Sequence, residues 1–426
     1  MNEKQANEYL SQIAGSGIIL GLEPIRELLR RLGNPQDRLR FIHAAGTNGK
    51  GATLTMTASI LTAAGYKTGK YTSPEVFESR EKFMIDGEMI SPEAFADCVT
   101  RIRAVIEQMQ AEQRPIPTVF EVETALAFLY FAEQNCELVA LETGMGGAED
   151  ATNVVSTTLV SIITSIGLDH TGFLGDTVEE IAAVKGGIIK PNTAVICQNQ
   201  RAEVIEVIRN IAEIRKSSFA VTEPAELCLK EQQLDGQRFC YRGLELTLPL
   251  AGKYQLDNAM AAVDAVCALR GCGYHIPDSA IREGLQTVDW PGRFERLGTR
   301  PDFILDGAHN PNAMQRLLEC IKFYFTNRRL IYIMGVLADK DYAKAAELLC
   351  PLAAEIYTVT PPNPRALSAQ ELADCIERVN PHVTACRDIP TAVRLAVQAA
   401  GTDGAVIAFG SLSYLAEVKR SWKQDK

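Results

Sequence analysis

Arg40-Phe41-Ile42-His43-Ala44-Ala45-Gly46-Thr47-Asn48-Gly49-Lys50-Gly51 opens as a short apolar strand and breaks into a glycine-rich loop; a helical pattern follows over Ala52–Ala64. Strand, loop and helix in that order form the setting a phosphate loop needs. Glycines at 46, 49 and 51 let backbone N–H groups converge on an anion, and the helix N-terminus adds partial positive charge. Lys50 then reaches the β- and γ-phosphates of a nucleotide. The spacing is shorter than the usual Walker A pattern, and without a ligand the same stretch would be only a glycine-rich turn.

Working outward, short apolar runs alternate with helical stretches along nearly the whole chain, which predicts an α/β protein with largely parallel sheets. Strands are expected at Arg40–Ala45, Leu138–Glu142, Leu159–Ser165, Ala194–Cys197, Phe303–Asp306, Leu330–Gly335, Ile356–Thr360 and Ala405–Gly410. Glu121–Ala132 and Ala259–Leu269 carry further helical patterns, and Cys228–Leu250 reads as a hairpin appended to the first sheet. Trp290-Pro291-Gly292-Arg293 marks a break, so we expect an N-terminal ATP-binding domain over 1–296 and a smaller Rossmann-like α/β domain over 297–426.

Composition narrows the function. The 426 residues are 46% hydrophobic and 23% charged, enough chain for a full core. A net charge of −10 argues against a nucleic-acid partner, which needs a basic face. No apolar run reaches the roughly 18 residues of a membrane span, and Met1-Asn2-Glu3-Lys4-Gln5 does not begin a secretory signal. The eleven cysteines include no Cys-x-x-Cys pair and read as reduced thiols, so the expected location is cytoplasmic.

Ligands in open α/β sheets sit at the carboxyl ends of strands, and three further clusters lie there. Glu142-Thr143-Gly144-Met145-Gly146-Gly147, with Asp150-Ala151-Thr152-Asn153 behind it, puts a carboxylate where a Mg²⁺ ligand belongs opposite a phosphate loop. Taken alone, a strand-terminal glutamate is more often a cap. Ser165-Ile166-Gly167-Leu168-Asp169-His170 and Lys185-Gly186-Gly187-Ile188-Ile189-Lys190 come next. A lone His170 would be a structural residue, and Lys185 a helix-end lysine facing solvent. Asp306-Gly307-Ala308-His309-Asn310-Pro311 and Asp339-Lys340-Asp341 follow in the second domain. No nucleophile elbow or Cys-His pair is present.

In this order the motifs resemble the folylpolyglutamate synthase/dihydrofolate synthase family of the Mur ligases. The resemblance runs from Gly21-Leu22-Glu23 through Gly46–Gly51, Tyr71-Thr72-Ser73-Pro74, Phe120-Glu121 and Glu142–Gly147. It continues through Leu168-Asp169-His170, Gln255-Leu256-Asp257-Asn258, Pro291-Gly292-Arg293 and Asp306–Pro311 to Gly410-Ser411-Leu412. It implies an ATP-dependent ligase that joins L-glutamate to folate or dihydropteroate through an acyl phosphate, acting as a monomer. By the same resemblance Ser73, Glu142, His170 and Lys185 would ligate two Mg²⁺ ions, with Lys185 carried as a carbamate, and Lys50, Lys185 and His170 would serve catalysis. ATP would meet Gly46, Thr47, Asn48, Gly49, Lys50, Gly51, Ala52, Asn258, Arg293, Asp306 and His309. Thr118, Phe120, Glu121, Asp150, Ala151 and Asp339 would meet the other substrates.

Three departures stand out. Ala52 replaces the serine or threonine that follows the loop, Ala148 replaces a common arginine, and Glu81-Lys82 stands where the family has Glu-Arg. Two other readings stay open at this point: a Mur ligase acting on a cell-wall nucleotide, and a P-loop module that binds nucleotide without making a product.

Overall fold

A strand apolar on both faces must be covered on both sides, and β1 (Phe41–Ala45) is buried at every position. The computed structural model describes residues 1–13, 21–169 and 171–424. Around β1 it builds a sheet with β2 (Thr68–Tyr71), β3 (Phe83–Ile85), β4 (Glu88–Met89), β5 (Leu138–Glu142), β6 (Thr158–Ile163), β7 (Ala194–Cys197) and β8 (Ser218–Val221). The order is β4-β3-β2-β5-β1-β6-β7-β8, parallel from β2 to β8. At one edge the β2–β3 and β3–β4 pairings are antiparallel.

This order decides where chemistry can collect. β1 lies between β5 and β6, with Ala44 in register with Glu142 and with Ile162. The loops after β1, β5 and β6 therefore leave the same edge side by side. The helix Lys50–Ala63 follows β1 with its first turns buried, and Ser59 Oγ donates to the Gly284 carbonyl at 2.7 Å, fastening it to the helix Asp278–Gln286.

The expected hairpin forms a sheet of its own, β11-β10-β9, from β9 (Cys228–Gln233), β10 (Gly236–Tyr241) and β11 (Leu244–Leu248), and is not an appendage of the first sheet. The chain divides into two compact units: 1–228, 239–248 and 255–288 make the first, and 229–238, 249–254 and 289–426 the second. A single cut after 296 therefore falls inside the second unit, because that unit takes up parts of the hairpin region as well as Asp289 onward.

The second unit carries β12 (Glu295–Thr299), β13 (Asp302–Leu305), β14 (Leu330–Met334), β15 (Glu355–Thr358), β16 (Val383–Ala385) and β17 (Ala405–Phe409). Their order is β12-β13-β17-β14-β15-β16, parallel except for β12 against β13. Ile304, Tyr332, Ile356 and Phe409 anchor its core. Of the eleven free cysteines six are buried, while Cys228 and Cys272 are exposed. Among the described residues no helix is long and apolar enough to cross a membrane.

Candidate active site

The glycine loop is held by the strand beside it. Thr47 and Asn48 N–H groups both donate to the Ser165 carbonyl, at 2.8 and 3.2 Å, and Thr47 Oγ1 exchanges hydrogen bonds with Gly167. Gly49 has φ +92°, and a Cβ there would collide with the Asn258 carboxamide. A Cβ on Gly46 would run into Thr164. Close approach requires both glycines, and at Gly49 the backbone conformation does so as well.

Lys50, the first residue of its helix, donates from Nζ to the Gly46 carbonyl at 3.1 Å and lies 3.7 Å from Glu142 Oε1. Lys185 donates to the same carbonyl at 2.9 Å. It is not a solvent-facing helix end: it is buried, and burial followed by the Lys50 charge pushes its pKa down to about 7. Glu142 is buried at the end of β5, and the Ser73 N–H donates to its Oε2 at 3.2 Å. Four sequence-predicted residues, Lys50, Ser73, Glu142 and Lys185, are therefore brought together with the loop. His170 lies outside the described residues. Ala52 is buried, and the neighbouring Thr53 hydroxyl is buried without a hydrogen-bond partner among the described residues.

On the other side of β5, Thr118 caps the helix Val119–Glu133. Glu121 Oε2 accepts from Thr118 N at 2.7 Å and from its hydroxyl at 2.9 Å, and burial raises the Glu121 pKa. The Phe120 ring rests on Gly144, where any Cβ would strike it. Asp150 is buried, which raises its pKa. It accepts from Met145 N at 2.8 Å, from Thr152 N at 3.0 Å and from the Thr152 hydroxyl at 2.5 Å. Ala151 begins the turn behind it. Lys82, standing where the family has arginine, is buried between Glu123 (2.6 Å) and Glu75 (3.0 Å).

One supporting residue escaped the sequence reading. Gln198 follows β7 directly: its Oε1 accepts from Ser165 N at 2.8 Å and its Nε2 donates to Asn258 Oδ1 at 3.0 Å. Asn258 in turn donates to Gln255 at 2.8 Å. The signal was available, since Gln198 is a polar residue at a strand's carboxyl end.

In the second unit Asp306, just after β13, accepts from Phe294 N and Ala308 N, both at 2.8 Å, and burial pushes its pKa up to about 6. The Arg293 guanidinium lies 5.8 Å from the Trp290 ring centre. His309 donates from Nδ1 to the Gly307 carbonyl at 2.7 Å and lines a cavity of about 240 Å³ with Asn310, Lys340, Asp341, Lys344 and Gly410. Asp339 is not part of that lining. It is half-exposed and paired with Arg365 at 3.1 Å.

The chain matches two family models: Mur ligase middle domain over residues 44–266, and Mur ligase, glutamate ligase domain over 292–412. It is 35% identical to a dihydrofolate synthase/folylpolyglutamate synthase of Bacillus subtilis, over 96% of each chain. The chain belongs to the folylpolyglutamate synthase/dihydrofolate synthase family of Mur ligases. Among solved members, a Mycobacterium tuberculosis folylpolyglutamate synthase complexed with ADP and AMPPCP is 30% identical at a TM-score of 0.88, covering 99% of this chain and 98% of that one. The E. coli FolC complex with DHPP and ADP is 29% identical at 0.87, covering 100% and 98%. In this chain two lysines meet at the Gly46 carbonyl, with the Glu142 carboxylate 3.7 Å from Lys50.

Proposed function

We propose that this chain joins L-glutamate to the γ-carboxyl of a folate and to the carboxyl of dihydropteroate, with ATP, as a cytoplasmic monomer. An acceptor carboxylate oxygen attacks the γ-phosphorus, the bond to the β-phosphate bridge breaks, and ADP leaves. The glutamate amine then attacks the acyl carbon and loses a proton, an amide forms, and phosphate departs. The observation that carries this reading is the meeting of Lys50, Lys185 and Glu142 at the carboxyl edge of one parallel sheet.

The chain's own groups have distinct work. The N–H groups of Gly49, Lys50 and Gly51 and the helix N-terminus cradle phosphate oxygens, and Lys50 balances charge that moves onto the bridge. The donor set suits a hard cation, because the buried Glu142 carboxylate and the Ser73 hydroxyl are oxygen ligands. Ser73, Glu142, His170 and a carbamylated Lys185 would hold Mg²⁺, which supplies charge neutralisation at the phosphates when bound. A neutral Lys185 amine adds to CO₂ and releases a proton, turning a cation into an anionic ligand. Its pKa near 7 supports that chemistry. Asn258, Arg293, Asp306 and His309 serve the nucleotide, and Thr118, Phe120, Glu121, Asp150 and Ala151 the acceptor.

Support for two acceptors comes from the names of relatives, which join both activities in the Bacillus subtilis protein. The test runs dihydropteroate and a reduced folate in parallel, each with ATP and with or without glutamate. ADP release that needs both glutamate and a pteroate acceptor is expected. Turnover that ignores glutamate, or that needs a cell-wall nucleotide instead, would sink the proposal.

A further inference from the structure

We propose that His43 is a positioning residue for the ligation. Buried in the middle of β1, it fixes the Asp150 carboxylate through the Thr152 hydroxyl, and the loop after Glu142 through the Thr143 hydroxyl. This rests on the reading of Asp150 as an acceptor contact given above.

His43 is fully buried among Phe41, Ile42, Ala44 and Ala45, a place that packing alone would fill with an apolar side chain. An imidazole there is unfavourable unless it is hydrogen-bonded. Its Nε2 lies 2.9 Å from Thr152 Oγ1 and 3.1 Å from Thr143 Oγ1, while Nδ1 has no hydrogen-bond partner among the described residues. The direction of the chain follows from its far end. The Thr152 hydroxyl donates to Asp150 Oδ1, so its oxygen accepts from His43. The ring is therefore the Nε2–H tautomer, with one N–H shared between two threonine oxygens. The reverse direction would put the ring proton on Nδ1, where no acceptor waits among the described residues.

One imidazole in β1 thus ties together two segments of the chain that follow β5. Asp150 Oδ1 is set by Thr152 and its Oδ2 by Met145 N at 2.8 Å, so the carboxylate has a single orientation. Thr143, which directly follows Glu142, is held by His43 from its side chain and by the Ala44 carbonyl from its N–H at 3.0 Å. A group that orients a binding residue acts on substrate affinity through it, and loss of such partners changes activity about 10- to 100-fold.

Three variants and one spectrum test this. His43→Leu removes the donor, Thr152→Val cuts the link to Asp150 while keeping its shape, and His43→Gln returns an N–H near the Nε2 position. In the full chain, His43→Leu and Thr152→Val should each raise the acceptor KM about tenfold with the ATP KM held within about twofold, and His43→Gln should recover most of the loss. Independently, ¹⁵N spectra of histidine-labelled protein, which has five histidines, should show His43 protonated at Nε2 and bare at Nδ1. Failure of the wild type to ligate glutamate would strike the function proposed above, and the spectrum would still decide the tautomer. An Nδ1–H ring, unchanged acceptor KM in both His43→Leu and Thr152→Val, or equal rises in both KM values would overturn the role of His43.

Discussion

Two ammonium groups aimed at one carbonyl cannot both stay charged cheaply. Lys50 and Lys185 share the Gly46 oxygen, which sets their nitrogens within about 6 Å. Lys185 is the one that yields, its pKa falling to about 7 through burial and then the Lys50 charge. The sign follows: between about pH 7 and the unfolded value near 10.5 the unfolded chain holds the extra proton, so this residue's contribution to stability rises with pH there. Carbamate formation needs the neutral amine. Activation of CO₂-stripped enzyme at a fixed dissolved CO₂ concentration should therefore be roughly tenfold faster at pH 8 than at pH 6. Lys185→Arg should be inactive, and Lys185→Ala inactive but partly restored by a short carboxylic acid. Substantial activity in the arginine variant would mean that a positive charge is all the site needs. Lys50→Ala should lower kcat at least about 100-fold with both acceptors, with circular dichroism unchanged; near-normal turnover would remove Lys50 from the phosphates.

At the scale of elements, caps and close approaches set what the site tolerates. The helix Val119–Glu133 begins with a reciprocal cap in which Thr118 and Glu121 satisfy each other's N–H groups. Thr118→Val keeps the shape and loses the hydroxyl, so it should lower stability by about 1–2 kcal/mol, read as a fall in the urea midpoint. Gly49→Ala should lose nucleotide binding, because φ +92° and the Asn258 carboxamide both exclude a Cβ. Which elements were legible in the sequence has the same physical origin. Strands β1, β5, β7, β14 and β17 announce themselves because each is a run of mostly apolar residues. Thr68-Gly69-Lys70-Tyr71 does not, although it is buried throughout: Gly69 is there because the Phe131 ring occupies its Cβ position, and Lys70 reaches Thr55. The edge strand β12 and the three-residue β16 are too exposed or too short to signal themselves. The loop residues Gly46–Gly51 were readable from local chemistry. Gln198 and His43 act across strands, and a single sequence does not show which strands are neighbours.

For the molecule as a whole, charge sets the terms of nucleotide binding. A chain with net charge −10 repels a polyanion at long range, so its affinity for ATP has to come from short-range groups. On the proposed function those groups would be the loop N–H donors, Lys50, and a cation held by Glu142 and Ser73. The buried Glu142 carboxylate lies 3.7 Å from Lys50 and leaves less of that lysine's charge for phosphate. A non-hydrolysable ATP analogue at about 100 times its Kd should stabilise the fold by about 2.7 kcal/mol. For a unit of this size that is a rise in Tm of about 5–10 °C with Mg²⁺ present. EDTA should abolish most of the shift, since it leaves a carboxylate facing the phosphates, and Lys50→Ala should abolish it even with Mg²⁺. Ser73→Ala should need more Mg²⁺ to reach the same shift, whereas Ala52→Ser should change it little. Differential scanning fluorimetry across a Mg²⁺ titration measures all four. An equal shift with and without the metal would show that the loop alone holds the nucleotide, and the assignment of Glu142 and Ser73 as its ligands would fall.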